Sequence, residues 1–131
     1  MNSSTLHRRL PFTACALAAL LVVGGCRGSA APPPDASAAR QALLTALDAW
    51  AAGKSPDDLR NQQPPLFVSD PDWEAGRALR TYELSDQESF DGQTLRTAAN
   101  LSFVGDRRRK SLGAKYTVGT TPVLTVVRVM D

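Results

Sequence analysis

The residues able to do chemistry in this chain are few, and their spacing separates them into groups. Asp70, Asp72 and Glu74 place carboxylates at alternate positions, the spacing with which a calcium loop begins. Such a loop continues with glycine at its sixth position and glutamate at its twelfth. Here those positions hold Ala75 and Thr81, so Asp70 reads as a helix cap and no metal is expected. Arg107, Arg108, Arg109 and Lys110 form the densest run of charge. They suit either a solvated hairpin tip that deters edge pairing or a contact with an anionic surface. Tyr82 and Tyr116 fall on strand faces expected to point inward. With Trp50 and Phe103 they are the candidate lining of a ligand pocket between a helix and a sheet. Arg80 and Arg128 would bind an anion there or simply mark the sheet margin.

Thiol and imidazole chemistry is confined to the amino-terminal end. The chain has 131 residues, two cysteines and one histidine, and Cys15, Cys26 and His7 all lie in its first 26 positions. Residues 1–10 carry His7, Arg8 and Arg9 without an acid, as a signal n-region does. Residues 14–23 are all apolar, about half the length needed to cross the hydrocarbon core as a helix. Small residues and Cys26 follow at once.

Val23-Gly24-Gly25-Cys26 resembles the lipobox of bacterial lipoproteins, in which an aliphatic residue and two small ones precede the modified cysteine. The resemblance implies cleavage before Cys26, a diacylglyceryl thioether on its sulfur and acylation of the new amino terminus. It also implies a membrane partner, reached through acyl chains of the palmitate kind. Arg27 at the next position implies an outer membrane, facing the periplasm, in a two-membrane cell. Two or three acyl chains hold stably where one is marginal. Residues 1–25 are then a signal peptide. Residues 26–35, with Pro32-Pro33-Pro34, are a lipidated tether, and residues 36–131 are a single domain.

Cleavage changes what the composition excludes. The full chain has a formal charge of +2, with 15 basic and 13 acidic residues. Loss of Arg8 and Arg9 leaves 13 of each. A neutral chain of this size gives no general field for nucleic acid, and no nucleic-acid partner is expected. Without histidine or a free thiol, zinc sites, Ser–His triads and Cys–His pairs have no residues to use. No cofactor is expected beyond the lipid on Cys26.

The elements that must position the remaining candidates follow from periodicity. Asp35 or Ser37 caps a helix over residues 36–52, whose stripe of Leu43, Leu44, Leu47, Trp50 and Ala51 faces a core, and Gly53 ends it. Ser55-Pro56-Asp57-Asp58 starts a short helix that buries Leu59 and stops at Pro64-Pro65. Leu66-Phe67-Val68 reads as a short strand, and Asp70-Pro71-Asp72 as another capped turn of helix. Beyond residue 78 apolar residues alternate. Ala78, Arg80, Tyr82 and Leu84 share a face. So do Leu95, Thr97, Ala99, Leu101 and Phe103, and so do Leu112, Ala114, Tyr116 and Val118. The fold class expected is α+β: one main amino-terminal helix packed on a curled antiparallel sheet of about four strands.

This order of elements resembles the small cystatin-like and NTF2-like α+β rolls. Some NTF2-like isomerases use an inward tyrosine to stabilise an oxyanion and an aspartate as base, but the strand core faces here carry no carboxylate. The function expected is a non-enzymatic envelope module that binds another envelope protein or an anionic surface, or serves structurally. A small-molecule binding roll stands second, and an acid–base enzyme a distant third. Neither oligomeric state nor partner identity follows from the sequence.

Overall fold

A computed structural model describes residues 35–107 and 111–130. The chain is α+β, running α1 (Ala36–Ala51), α2 (Pro56–Arg60), β1 (Leu66–Ser69), α3 (Pro71–Glu74), β2 (Leu79–Phe90), β3 (Thr94–Phe103), β4 (Leu112–Gly119) and β5 (Leu124–Val129). Among the described residues no helix is long and apolar enough to cross a membrane.

The helices begin where local chemistry dictates. Ala38 N–H donates to Asp35 Oδ1 at 2.6 Å, which caps α1. Ser55 and Asp58 form a reciprocal capping box around Pro56 at the head of α2, and Asp70 accepts from the first amides of α3. The buried side of α1 is Ala39, Ala42, Leu43, Ala46, Leu47, Ala49 and Trp50. The expected stripe is therefore turned toward the alanines, since Leu44 is half-buried and Ala51 exposed. Methyl side chains on the contact side let the helix axis approach the sheet, with which α1 makes contact along all five strands.

The sheet corrects the expected strand count and pairing. It has five strands in the order β1-β5-β4-β3-β2. It is mixed, because β1 pairs with β5 in parallel while the other neighbours are antiparallel. Short hairpin connections reveal antiparallel neighbours, whereas β1 and β5 are joined by most of the domain. The buried set on β3 is Leu95, Thr97, Ala99, Leu101 and Phe103, as the alternation requires. Ala114, Tyr116 and Val118 are buried on β4 opposite it, but Leu112 lies at the strand end and is 38% exposed.

β2 departs from simple alternation. Leu79 pairs with Phe103 and Thr81 with Ser102, so one extra residue, Arg80, is accommodated as a bulge. That slip places Leu79 in the core on the same side as Tyr82 and Leu84, although odd and even positions should diverge. Arg80, expected beside Tyr82, is exposed. A second register shift separates Leu84 from Glu88, next to which Arg40 of α1 binds Glu88 Oε2 at 2.7 Å.

Candidate functional site

A short motif occurs twice at one end of the domain: Trp50-Ala51-Ala52-Gly53-Lys54 closes α1 and Trp73-Glu74-Ala75-Gly76-Arg77 closes α3. Both copies end in the same turn. Gly53 N–H donates to Trp50 O at 3.0 Å and Lys54 N–H to Ala49 O at 2.9 Å. Gly76 N–H donates to Trp73 O at 2.9 Å and Arg77 N–H to Asp72 O at 3.0 Å. Each glycine has a φ of 80°, a left-handed conformation that a side chain would strain.

The two copies also hold each other. Trp50 Nε1–H donates to Arg77 O at 2.7 Å, and Trp73 Nε1–H donates to Lys54 O at 2.8 Å. The indoles stack with centroids 5.2 Å apart and planes within 4°, and Phe103 of β3 tilts against Trp50 at 5.6 Å. Each tryptophan thus buries its ring against the other while its N–H ties down the loop that follows the other's helix. The Arg77 guanidinium lies 3.7 Å from the Phe103 ring centroid and pairs with Asp72 at 2.9 Å and Asp106 at 3.6 Å. A cleft of about 590 Å³ opens over this clamp. Trp50, Lys54, Arg60, Trp73, Glu74 and Arg77 are among the residues that line it.

A second cluster involves the tyrosines. Tyr116 on β4 donates its hydroxyl to Asp70 Oδ2 at 2.7 Å, deep in the core. Asp70, 1% exposed, also accepts from the amides of Asp72 at 2.9 Å and Trp73 at 3.3 Å and from Arg128 at 3.3 Å. Arg128 bridges onward to Asp72, which in turn holds Arg77. Burial raises the Asp72 carboxyl, but hydrogen bonds from Arg77 and Arg128 outweigh it and leave the group below its ordinary value. Burial first, and then donation to Asp70, pushes the Tyr116 phenol far above its ordinary range. Arg128 is held protonated by Asp72 and Asp70 against the cost of burial. Tyr82 on β2 makes the corresponding bond to Asp48 of α1 at 2.5 Å. Burial and that carboxylate raise the Tyr82 phenol to about 12.

The four residues expected to share a pocket are therefore divided. Trp50 lines the cleft; Phe103 packs behind it against Trp50 and under Arg77. Tyr116 is sealed in the Asp70 cluster, and Tyr82 lies at the α1–β2 contact. Asp70 caps α3, and Arg128 supplies the cation between Asp70 and Asp72. Among the described residues no group of three or more His, Cys, Asp or Glu side chains is placed to hold a metal ion. Arg107 is exposed. Arg108, Arg109, Lys110, Cys26 and its preceding Val23, Gly24 and Gly25 lie outside the described residues.

Sequence reasoning misses Trp73, Asp70 and Asp48 as partners of the named residues. The repeated Trp-x-Ala-Gly-basic motif is the signal by which Trp73 can be found. Asp70 carries no such signal, because it enters the core from a loop and not from a strand face. No protein-family model, characterised protein or solved structure matches the chain.

Proposed function

We propose that the chain is a lipid-anchored module of the bacterial envelope that binds or braces another envelope component without catalysing a reaction. In this reading the five-stranded sheet curls around α1 as a small roll of the cystatin-like or NTF2-like kind. Val23-Gly24-Gly25-Cys26 supports the anchor, with the acylated protein extracytoplasmic and, in a two-membrane cell, on the outer membrane facing the periplasm.

The observation that carries the non-enzymatic part is the closed bonding of the groups best suited to acid–base work. Asp70 stands opposite Tyr116, the arrangement an acid–base site would require. Its Oδ1 nevertheless takes two amides and Arg128, and its Oδ2 takes the Tyr116 hydroxyl. A hydroxyl already given to a buried carboxylate is not free to stabilise an oxyanion. A carboxylate with donors on both oxygens is a cap rather than a poised base. Tyr82 is similarly engaged by Asp48.

A second reading, a small-molecule binding site, draws on the cleft over the Trp50–Trp73 clamp, whose volume falls within the range of ligand pockets. Mass spectrometry of protein extracted from native membranes should yield an acylated peptide beginning at Cys26, and Cys26→Ser should release the protein from the membrane fraction. A soluble wild-type product cut at another site would overturn the anchored reading. Cross-linking in the native envelope followed by co-purification should then return a specific macromolecular partner. Recovery of a tightly held small molecule, lost in a Trp73→Ala variant that remains folded, would instead favour the second reading.

A further inference from the structure

The cleft over the Trp50–Trp73 clamp is bordered by charge of both signs. Lys54, Arg60 and Arg77 line it together with Asp57 and Glu74, over the buried, apolar Trp50, Trp73 and Val68. Some of this charge is already committed. Arg60 and Asp57 answer each other at 3.3 Å. Arg77 donates one hydrogen bond to Asp72 at 2.9 Å, lies 3.6 Å from Asp106 and rests on the Phe103 ring.

Lys54 and Glu74 are left over, and their charges are opposite. Among the described residues the Glu74 carboxylate has no hydrogen bond and no ion pair. Lys54 forms no ion pair among them either. It acts on Asp58 through space, and that carboxylate is taken up by the Ser55 amide at 2.7 Å and the Ser55 hydroxyl at 3.0 Å. The bond from Trp73 Nε1–H to Lys54 O joins the two loops concerned, since Glu74 directly follows Trp73. An ammonium and a carboxylate therefore border one cleft without closing on each other.

We propose that this cleft takes a short peptide with both ends free, its carboxylate held by Lys54 and its ammonium by Glu74. The proposal rests on the small-molecule reading of the cleft and names the class of ligand. A ligand of single charge fits less well. An anion would enter beside Asp57 and Glu74, and a cation beside Lys54, Arg60 and Arg77. A zwitterion answers both left-over groups at once and leaves the Arg60–Asp57 and Arg77–Asp72 pairs intact. The Arg77 N–H groups not given to Asp72 add donors for the ligand carboxylate. A volume of about 590 Å³ lies within the range of ligand pockets and has room for a few residues.

The chain has two tryptophans, and both indole N–H groups bond to carbonyls of cleft-lining residues, so two nuclear magnetic resonance signals report on the site. The full chain as the cell processes it, isotope-labelled and held in detergent micelles, is titrated with alanyl-alanine. Both indole signals should shift saturably. N-acetyl-alanyl-alanine, which lacks the ammonium, and alanyl-alaninamide, which lacks the carboxylate, should each bind about tenfold more weakly, the worth of one charge-assisted hydrogen bond. Glu74→Gln should erase the preference for a free amino end, and Lys54→Gln should reduce that for a free carboxylate. Both residues are exposed, so the thermal midpoint should stay in place. Equal binding of blocked and free peptides overturns the zwitterion and leaves a small-molecule cleft standing. Unchanged preferences in the two variants overturn the roles given to Lys54 and Glu74. Indole signals that no peptide moves also overturn the proposal, whereas recovery of a different tightly held molecule from the native protein would still support the cleft.

Discussion

Two tyrosine–carboxylate pairs in this domain share one chemistry and differ in setting. Tyr82 of β2 donates to Asp48 of α1 at 2.5 Å, and Tyr116 of β4 donates to Asp70 at the head of α3 at 2.7 Å. Asp48 is exposed, so water can replace the tyrosine if the bond is lost. Asp70 is buried, and its other partners are two amides and Arg128. Similar bonds therefore serve as a surface latch at one site and as part of a closed cluster at the other. In the closed cluster, removing a member leaves the rest unsatisfied where water cannot help, and that penalty exceeds the net worth of the bond.

The contrast orders the expected effects. Asp70→Ala should be the most damaging, lowering unfolding free energy by about 3–5 kcal/mol, since it uncaps α3 and strands Tyr116 and part of Arg128. Chemical denaturation measures this, and a loss no larger than that of Asp48→Ala would break the comparison. Tyr116→Phe should cost about 1–3 kcal/mol, because one buried carboxylate oxygen loses its donor. A double-mutant cycle with Asp70→Asn should show strong coupling. Tyr82→Phe should cost less than about 1 kcal/mol, with little coupling to Asp48→Asn.

Titration sharpens the same distinction. The folded-state value of Asp72 is depressed, so its contribution is present above its ordinary value near 4 and is lost as pH falls through the folded value. Asp72→Asn should therefore flatten the acid limb of stability without abolishing it, because hydrogen bonds at Ser55 and Thr94 depress Asp58 and Asp91 likewise. At alkaline pH the sign reverses. A phenol raised in the folded state contributes below the unfolded value near 10 and loses that contribution as pH rises through the folded one. Absorbance at alkaline pH should show Tyr82 ionising near 12 and Tyr116 only when the protein unfolds. A phenol titrating near 10 in the folded protein would remove the basis of the comparison.

Much of the local structure is legible because its causes are local. Asp35, Ser55 and Asp70 are followed by amides that need acceptors, and all three act as caps. Gly53 ends α1 because the left-handed turn there favours a residue without Cβ. The alternating buried residues of β3 follow from a pleat of period two. Legibility fails where one extra residue is absorbed, as at Arg80, which reverses the side taken by Leu79. It also fails for the candidate pocket, because facing inward does not determine what an inward side chain meets. Tyr116 meets Asp70, and Trp50 meets Trp73.

The sequence by itself determined the α+β class, the helix caps and most of the core faces, and it wrote the Trp-x-Ala-Gly-basic motif twice. It also supplied Val23-Gly24-Gly25-Cys26, on which the anchored reading rests. Only the tertiary structure decided that the two motif copies clamp each other and that β1 lies parallel to β5. It alone decided that a carboxylate, absent from the strand core faces, reaches the core from a loop. The reason is physical. Capping and pleating are settled within a few residues of chain, whereas stacking, parallel pairing and burial of a charge depend on partners that only folding brings together.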